Sequence, residues 1–416
     1  MSVREYDIKN KKRNLNIEAK GTVKSTKYFP VFEELNKERI FKPLSKTKPY
    51  STPLFAYSEE YWSNMLHDYI DKNTPIYQIA ICNGLSDEQP KYYDKGTIVD
   101  NVLKENERLI NLLELFKKIP DKNVNISNYT NYCEMQYNYS DILKSDFFTK
   151  NKTLGEKLAR QILCSILRRD DNYHYENVNF IENNGYIIDI APMMDMEFSQ
   201  MFMFADDIKR HKEKFSIYDE GMGPIFEYND DETYEQNYYN FINRLENESL
   251  YDALDPYQSY NLRKNIFTIT KLYPKMCKKF LKELQKLRKA VLNTKIEFNL
   301  SYMGKFSSVD WKPTRMLYKE GCSTTDENYI KALNEAERNK YRLNPVEFNE
   351  RLKKEVVWSI DKLTEMIELC LNIQNNKSTV ILDYKNKTLY DKVNRETEES
   401  IIEAYQKVIT KDDKKY

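Results

Sequence analysis

Glycine is scarce in this chain, nine in 416 residues. That scarcity lets the phosphate-cradling patterns be checked one by one, and GxxxxGK(S/T), GxGxxG and GxSxG are all missing. P-loop NTPase, dinucleotide-binding Rossmann and α/β-hydrolase readings fall away. Histidine is scarcer still: His67, His174 and His211 lie far apart and form no His-x-x-x-His pair, a poor basis for a metal-hydrolase site. The cysteines (Cys82, Cys133, Cys164, Cys277, Cys322 and Cys370) stand singly, without a CxxC, and read as reduced, mostly buried thiols rather than a disulfide scaffold or a zinc site. Net charge is missing too. The 65 basic and 65 acidic side chains cancel, so no long-range field draws the chain to DNA, RNA or an anionic membrane, and neither DNA nor a membrane is expected as a partner. No apolar run approaches the roughly 20 residues of a membrane span. The opening MSVREYDIKNKKRNLNIEAKG is polar and charged throughout, unlike a secretory signal, so the expected location is cytoplasmic. Carboxylates, Asn and Lys are left to carry any chemistry.

What is present suffices for two packed domains or one large domain with two lobes. From Gly21 to Leu44 the chain alternates through GTVKSTKYFPVF, a polar ELNKE and RIFKPL, the pattern of a β-hairpin. Ser58 then opens SEEYWSNMLHDYIDK, where Ser58 can cap, Glu59 and Glu60 favour the positive helix end, and Trp62, Met65, Leu66 and Tyr69 recur at helical spacing. TPIYQIAICNG and KYYDKGTIVDNVL read as further strands of the same small sheet. After Glu105 helical periodicity dominates: ENERLINLLELFKKI, LGEKLARQILCSILRR, FINRLENESLYDALD, YNLRKNIFTITKLYPKMCKKFLKELQKLRKAVL and VEFNERLKKEVVWSIDKLTEMIELCLNIQ. Between Arg169 and Asp195 it gives way to a loop, a hairpin turning at Asn184-Gly185 and a Pro-containing turn. The expected class is α+β. Residues 1–104 are expected to form a lobe of sheet plus one helix, 105–290 a helical lobe with the interrupted loop, and 291–416 a helical C-terminal extension of that lobe.

Phosphoryl transfer from ATP needs a Lys on the phosphates, carboxylate and amide oxygens on magnesium, and an Asp near the attacking hydroxyl. The loop holds Asp170, Asp171, His174 and Asn177, and Asp195 follows after IIDIAP. The intervening hairpin allows Asn177 and Asp195, both hard oxygen donors, to meet at one Mg²⁺. Each has a plainer reading. Lys42 alone is a solvated strand lysine, Asp195 a turn cap, His174 an architectural residue steadying the loop, and the methionines from Met193 onward core filler.

D-x-H-x-x-N-x-x-F, a hairpin and A-P-x-x-D mark the active site of HipA-like serine/threonine protein kinases, and this chain resembles that family in DNYHYENVNFI and IAPMMD. The layout over roughly residues 20–200 is similar to the short CtkA-type members. The resemblance implies a bilobal protein-kinase-like fold, with a small β-rich N-terminal lobe and a larger, mostly helical C-terminal lobe. It implies ATP and Mg²⁺ as cofactors, a protein Ser/Thr hydroxyl as acceptor, Asp171 as catalytic base supported by His174, and Asn177 and Asp195 as metal ligands. Lys42 of RIFKPL would hold the nucleotide phosphates, with Glu60 as its partner and Glu59 as rival. The segment containing Gly21, Ser25 and Thr26 would be the phosphate loop, Ser25 or Thr26 serving for autophosphorylation. A bacterial source is implied, with either a toxin role beside an antitoxin or regulatory protein, or an effector role.

One departure from the family pattern matters. Two residues, Asn172 and Tyr173, stand between Asp171 and His174 where the family has one, so counting back five from Asn177 lands on Asn172. Three readings stay open: Asp171 as base with an extra loop residue, Asp170 as substitute, or Asn172 in register, which makes the chain a nucleotide-binding pseudokinase acting as scaffold or regulator. A small-molecule phosphotransferase is disfavoured because those place His before the Asp.

Overall fold

A computed structural model of the protein describes residues 3–10, 30–34, 37–45, 53–104, 106–121, 124, 139–170, 173, 175, 177–194, 196, 260–294, 345–375, 379–383 and 388–393. The chain is a mixed α+β protein, β-rich at its start and mostly helical afterwards. It divides into two compact units. The first is built from residues 1–115, 168–223 and 289–356, the second from 116–167, 224–288 and 357–416.

The first unit opens with a five-stranded sheet. Its strands are β1 (Arg4–Asp7), β2 (Val31–Glu34), β3 (Lys37–Ser45), β4 (Gln78–Asn83) and β5 (Tyr92–Asp100), in spatial order β1-β4-β5-β3-β2. The expected hairpin is present as β2 and β3, paired from Val31↔Ile40 to Glu34↔Lys37; its segment before Pro30 lies outside the described residues. β4 and β5 join the same sheet as expected. β1 pairs parallel with β4 and was not anticipated, because its alternating REYD carries too little apolar material to stand out locally.

Side chains of a strand alternate between faces, and registered partners on neighbouring strands share one. Phe41, Ile98, Ala80 and Cys82 project to one face and pack with Ile8, Phe32, Leu85 and Tyr92. A fully buried Phe at such a position contributes about 1.5–3 kcal/mol. Lys42, its partner Thr97 and the next residue across, Ile79, must then project to the opposite face, and that face carries helix α1 (Pro53–Tyr69).

Helix α1 starts five residues earlier than expected. Proline tolerates the first helical position because its missing N–H would have no partner there, so Pro53 opens the helix and Ser58 is interior rather than a cap. Trp62, Met65 and Leu66 are buried as expected, whereas Tyr69 is exposed. A short α2 (Leu85–Glu88) links β4 to β5.

ERLIN is a strand, not helix: β6 (Glu107–Asn111) pairs antiparallel with β7 (Asn179–Asn183), and only the following α3 (Leu112–Lys118) is helical. β7 turns at Asn184 and Gly185, both at positive φ, into β8 (Tyr186–Ile190), the hairpin expected from the Asn-Gly pair.

The helical segments otherwise follow the periodicity. They are α4 (Ser140–Leu143), α5 (Asp146–Lys150), α6 (Lys152–Arg168), α7 (Tyr260–Leu272), α8 (Pro274–Asn293) and α9 (Pro345–Asn375). FINRLENESLYDALD lies outside the described residues. In the second unit, Ser140 N donates to Asn265 Oδ1 at 2.9 Å and the Ser140 and Thr268 hydroxyls meet at 2.6 Å, seating α4 on α7. Arg160 of α6 pairs with Glu283 of α8. A Cβ on Gly155 would fall 2.1 Å from the Tyr273 hydroxyl oxygen, so only glycine permits that approach. Strands β9 (Thr379–Asp383) and β10 (Thr388–Val393) pair antiparallel, so the C-terminal extension is not wholly helical. Among the described residues no helix is long and apolar enough to cross a membrane.

Candidate active site

The first unit brings together a lysine, a glutamate and a threonine from three elements. Lys42 Nζ donates to Glu59 Oε1 at 2.7 Å, and Thr97 Oγ1 donates to Glu59 Oε2 at 2.6 Å. Both donors stand side by side on β3 and β5, and the carboxylate descends from α1. The carboxylate is deeply buried, its side chain 3% exposed, whereas the Lys42 side chain is 18% exposed. The ammonium thus rests against a desolvated carboxylate while the lysine side chain as a whole stays partly exposed.

The expected partner of Lys42 was Glu60, and the structure places Glu59 there instead. Successive helix residues point about 100° apart, so the two glutamates address different parts of the sheet. Glu60 turns toward β4 and accepts from Ile79 N at 3.4 Å. Burial pushes the Glu60 carboxyl above its ordinary value, with the Ile79 N–H acting in the other direction.

Close strand approach fixes the height of Lys42. Pro43 and Gly96 are registered partners, and a Cβ on Gly96 would fall 2.0 Å from the Lys42 carbonyl oxygen. Proline has no N–H to contribute to the ladder, and the pairing becomes irregular between Pro43 and Ser45.

The interrupted loop begins where α6 ends. Arg169 adopts left-handed geometry, φ 50°, and its Nη1 and Nη2 both donate to Glu355 Oε2 at 2.9 Å. Arg168 Nη2 donates to Asp170 and also approaches Met193 Sδ at 3.2 Å. Asp170 is thus a buried acceptor for Arg168, which speaks against its use as the substitute base. Tyr173 and Tyr175 are buried, and Leu112 N is shared between the carbonyls of Tyr175 and Val178 at 3.2 and 2.9 Å. Asn177 is half-buried at the head of β7. Its carbonyl accepts from Asn179 Nδ2 at 3.1 Å. Asp171, His174, Asp195, Gly21, Ser25 and Thr26 lie outside the described residues.

A further contact was illegible in sequence. Ser58, fully buried in α1, donates through Oγ to the Met196 carbonyl at 2.9 Å across 138 residues. The residue next to Asp195 is thereby tied to the residue next to Glu59. Thr97 also went unnoticed, since no local pattern marks a threonine whose role depends on pairing with another strand. Among the described residues no cluster of three or more His, Cys, Asp or Glu side chains could hold a metal.

No protein-family model matches the chain, and no curated protein matches it. Among solved structures it is similar to the crystal structure of a Helicobacter pylori proinflammatory kinase, CtkA, at 14% identity and a TM-score of 0.37 over 81% of this chain and 97% of that one.

Proposed function

We propose that the protein is an ATP- and Mg²⁺-dependent protein kinase that transfers the γ-phosphoryl group of ATP to Ser or Thr hydroxyls. The observation that carries this reading is the Lys42–Glu59 pair. A lysine held at 2.7 Å by a buried carboxylate, its side chain partly exposed, suits contact with phosphate oxygens, and charge placement of this kind is the main protein contribution to phosphoryl transfer. The Ser58–Met196 bond supports it by joining the lysine-bearing half of the site to the IAPMMD motif.

The donor set fits the cofactor in its chemistry. Asn177 would supply a carboxamide oxygen and Asp195 a carboxylate, both hard ligands appropriate to Mg²⁺, which when bound would neutralise charge developing on the phosphates. In the transfer, the substrate hydroxyl oxygen bonds to the γ-phosphorus and gives its proton to Asp171. The bond to the β–γ bridging oxygen breaks and its electron pair leaves on ADP. Lys42 steadies the phosphate oxygens throughout. In keeping with the HipA-like motifs, the acceptor protein would belong to a toxin role, with an antitoxin or regulatory partner, or to an effector role.

A second reading is favoured by one observation, the six-residue step from Asp171 to Asn177. With Asn172 in the base position, the protein binds nucleotide without transferring phosphate and acts as a scaffold. The test is Mg²⁺-dependent incorporation of label from γ-labelled ATP into protein, with the chain alone and with lysate, beside Asp171→Ala, Asp195→Ala and Lys42→Ala. Loss of labelling in all three establishes the kinase. ATP binding without labelling in the wild type establishes the scaffold reading, and absence of both overturns the proposal.

A further inference from the structure

We infer that Thr97 is a positioning residue for phosphoryl transfer, acting by locking the Glu59 carboxylate so that Oε1 faces Lys42. The inference rests on the kinase reading. Glu59 is a buried carboxylate, and each of its oxygens is claimed by a different donor on the same sheet face: Oε1 by Lys42 at 2.7 Å and Oε2 by Thr97 at 2.6 Å. The two residues are registered partners across β3 and β5, so backbone pairing sets them side by side on the face that meets Glu59.

A glutamate has a loose final torsion, and its carboxylate plane is broadly distributed unless something fixes it. Thr97 can fix it. It is 1% exposed, and β-branching leaves its own first torsion stiff, so the hydroxyl is a rigid anchor. With Oε2 pinned, rotation that would carry Oε1 away from Lys42 is blocked. Without the hydroxyl, Oε2 loses its Thr97 donor, and the carboxylate turns both oxygens toward Lys42, shifting the ammonium from the position in which it would meet phosphate oxygens. Hydrogen bonds to charged groups in such sites are among the stronger ones.

Thr97→Val keeps the shape and removes the hydroxyl, while Thr97→Ser keeps the hydroxyl. The measurement is the initial rate of label transfer from ATP by the full chain at varied ATP with saturating Mg²⁺, together with the thermal midpoint of each variant. The expected result for Thr97→Val is a rise in the KM for ATP and a fall in kcat/KM of about tenfold, with recovery in Thr97→Ser. A purely structural role would lower the amount of active protein and leave the KM for ATP unchanged. An unchanged KM in Thr97→Val, or a Thr97→Ser variant no better than Thr97→Val, overturns the inference while the kinase reading stands. A wild type that neither transfers label nor binds ATP removes that reading and this inference with it.

Discussion

Two ionic clusters in the first unit are built from similar groups and behave differently. The Lys42–Glu59 pair keeps its cation partly in solvent, 18% exposed against 3% for the acid. Arg169–Glu355 hides both ends, at 1% and 2%. Burying both charges removes all hydration and is compensated only by good geometry; it suits a bidentate guanidinium and freezes the backbone where α6 turns into the loop. Keeping one end partly exposed spares that end part of its dehydration. On the proposed kinase reading the first cluster serves binding, whereas the second serves to hold the backbone.

The largest expected effect comes from breaking the held pair. Arg169→Met leaves Glu355 buried and unpaired, and should lower unfolding stability by about 3–5 kcal/mol, read as a shift of the urea midpoint. Arg169→Met with Glu355→Met should recover most of that, which distinguishes loss of a partner from loss of packing.

Lys42→Met should do the converse. Activity is expected to fall by about 10²–10³, equivalent to about 2.7–4 kcal/mol of transition-state stabilisation, with a smaller stability change because the Glu59 carboxylate keeps its Thr97 donor. An equal loss of stability in both variants would erase the distinction between the clusters.

Ser58→Ala tests the tie between them and the second motif. Losing one buried hydrogen bond should cost about 1 kcal/mol, and label transfer should drop more than in a control of equal stability loss within the second unit, such as Thr268→Val.

The smallest effect is on pH dependence. Burial raises the Glu60 carboxyl above 4.5, so the folded state holds this proton more tightly than the unfolded chain. Its contribution to stability is complete below 4.5 and is lost as pH rises through the folded value. The wild-type urea midpoint should therefore decline relative to that of Glu60→Gln as pH increases from about 4.5. A flat difference across that range would show that Glu60 is not held in a desolvated site.

These expectations also mark what local sequence could and could not supply. The β2–β3 pairing, strands β4 and β5, the long amphipathic helices among the described residues and the Asn184-Gly185 hairpin are written in nearest-neighbour patterns, and they are present. The start of α1 was misplaced because Ser58 resembles a cap, and of the two candidate glutamates it is the rival, Glu59, that meets Lys42. ERLIN has an apolar spacing compatible with a helix, but β7, some seventy residues away, claims its backbone as a strand. The same nonlocality hid Thr97, Ser58 and Glu355: each acquires its role from a partner that only the folded chain brings near. Of the three candidates for the base, Asp170 is set aside only by seeing its carboxylate occupied by Arg168, whereas Asp171 and Asn172 lie outside the described residues.

Gly96 is a residue without a side chain beside the most consequential lysine of the molecule. Because an added methyl would collide with the Lys42 carbonyl oxygen, the backbone of β3 would have to retreat and take the ammonium with it. In a saturation-mutagenesis screen for lost activity, position 96 should be as intolerant as position 42, although every substitution there leaves the charges, hydroxyls and carboxylates of the site chemically intact.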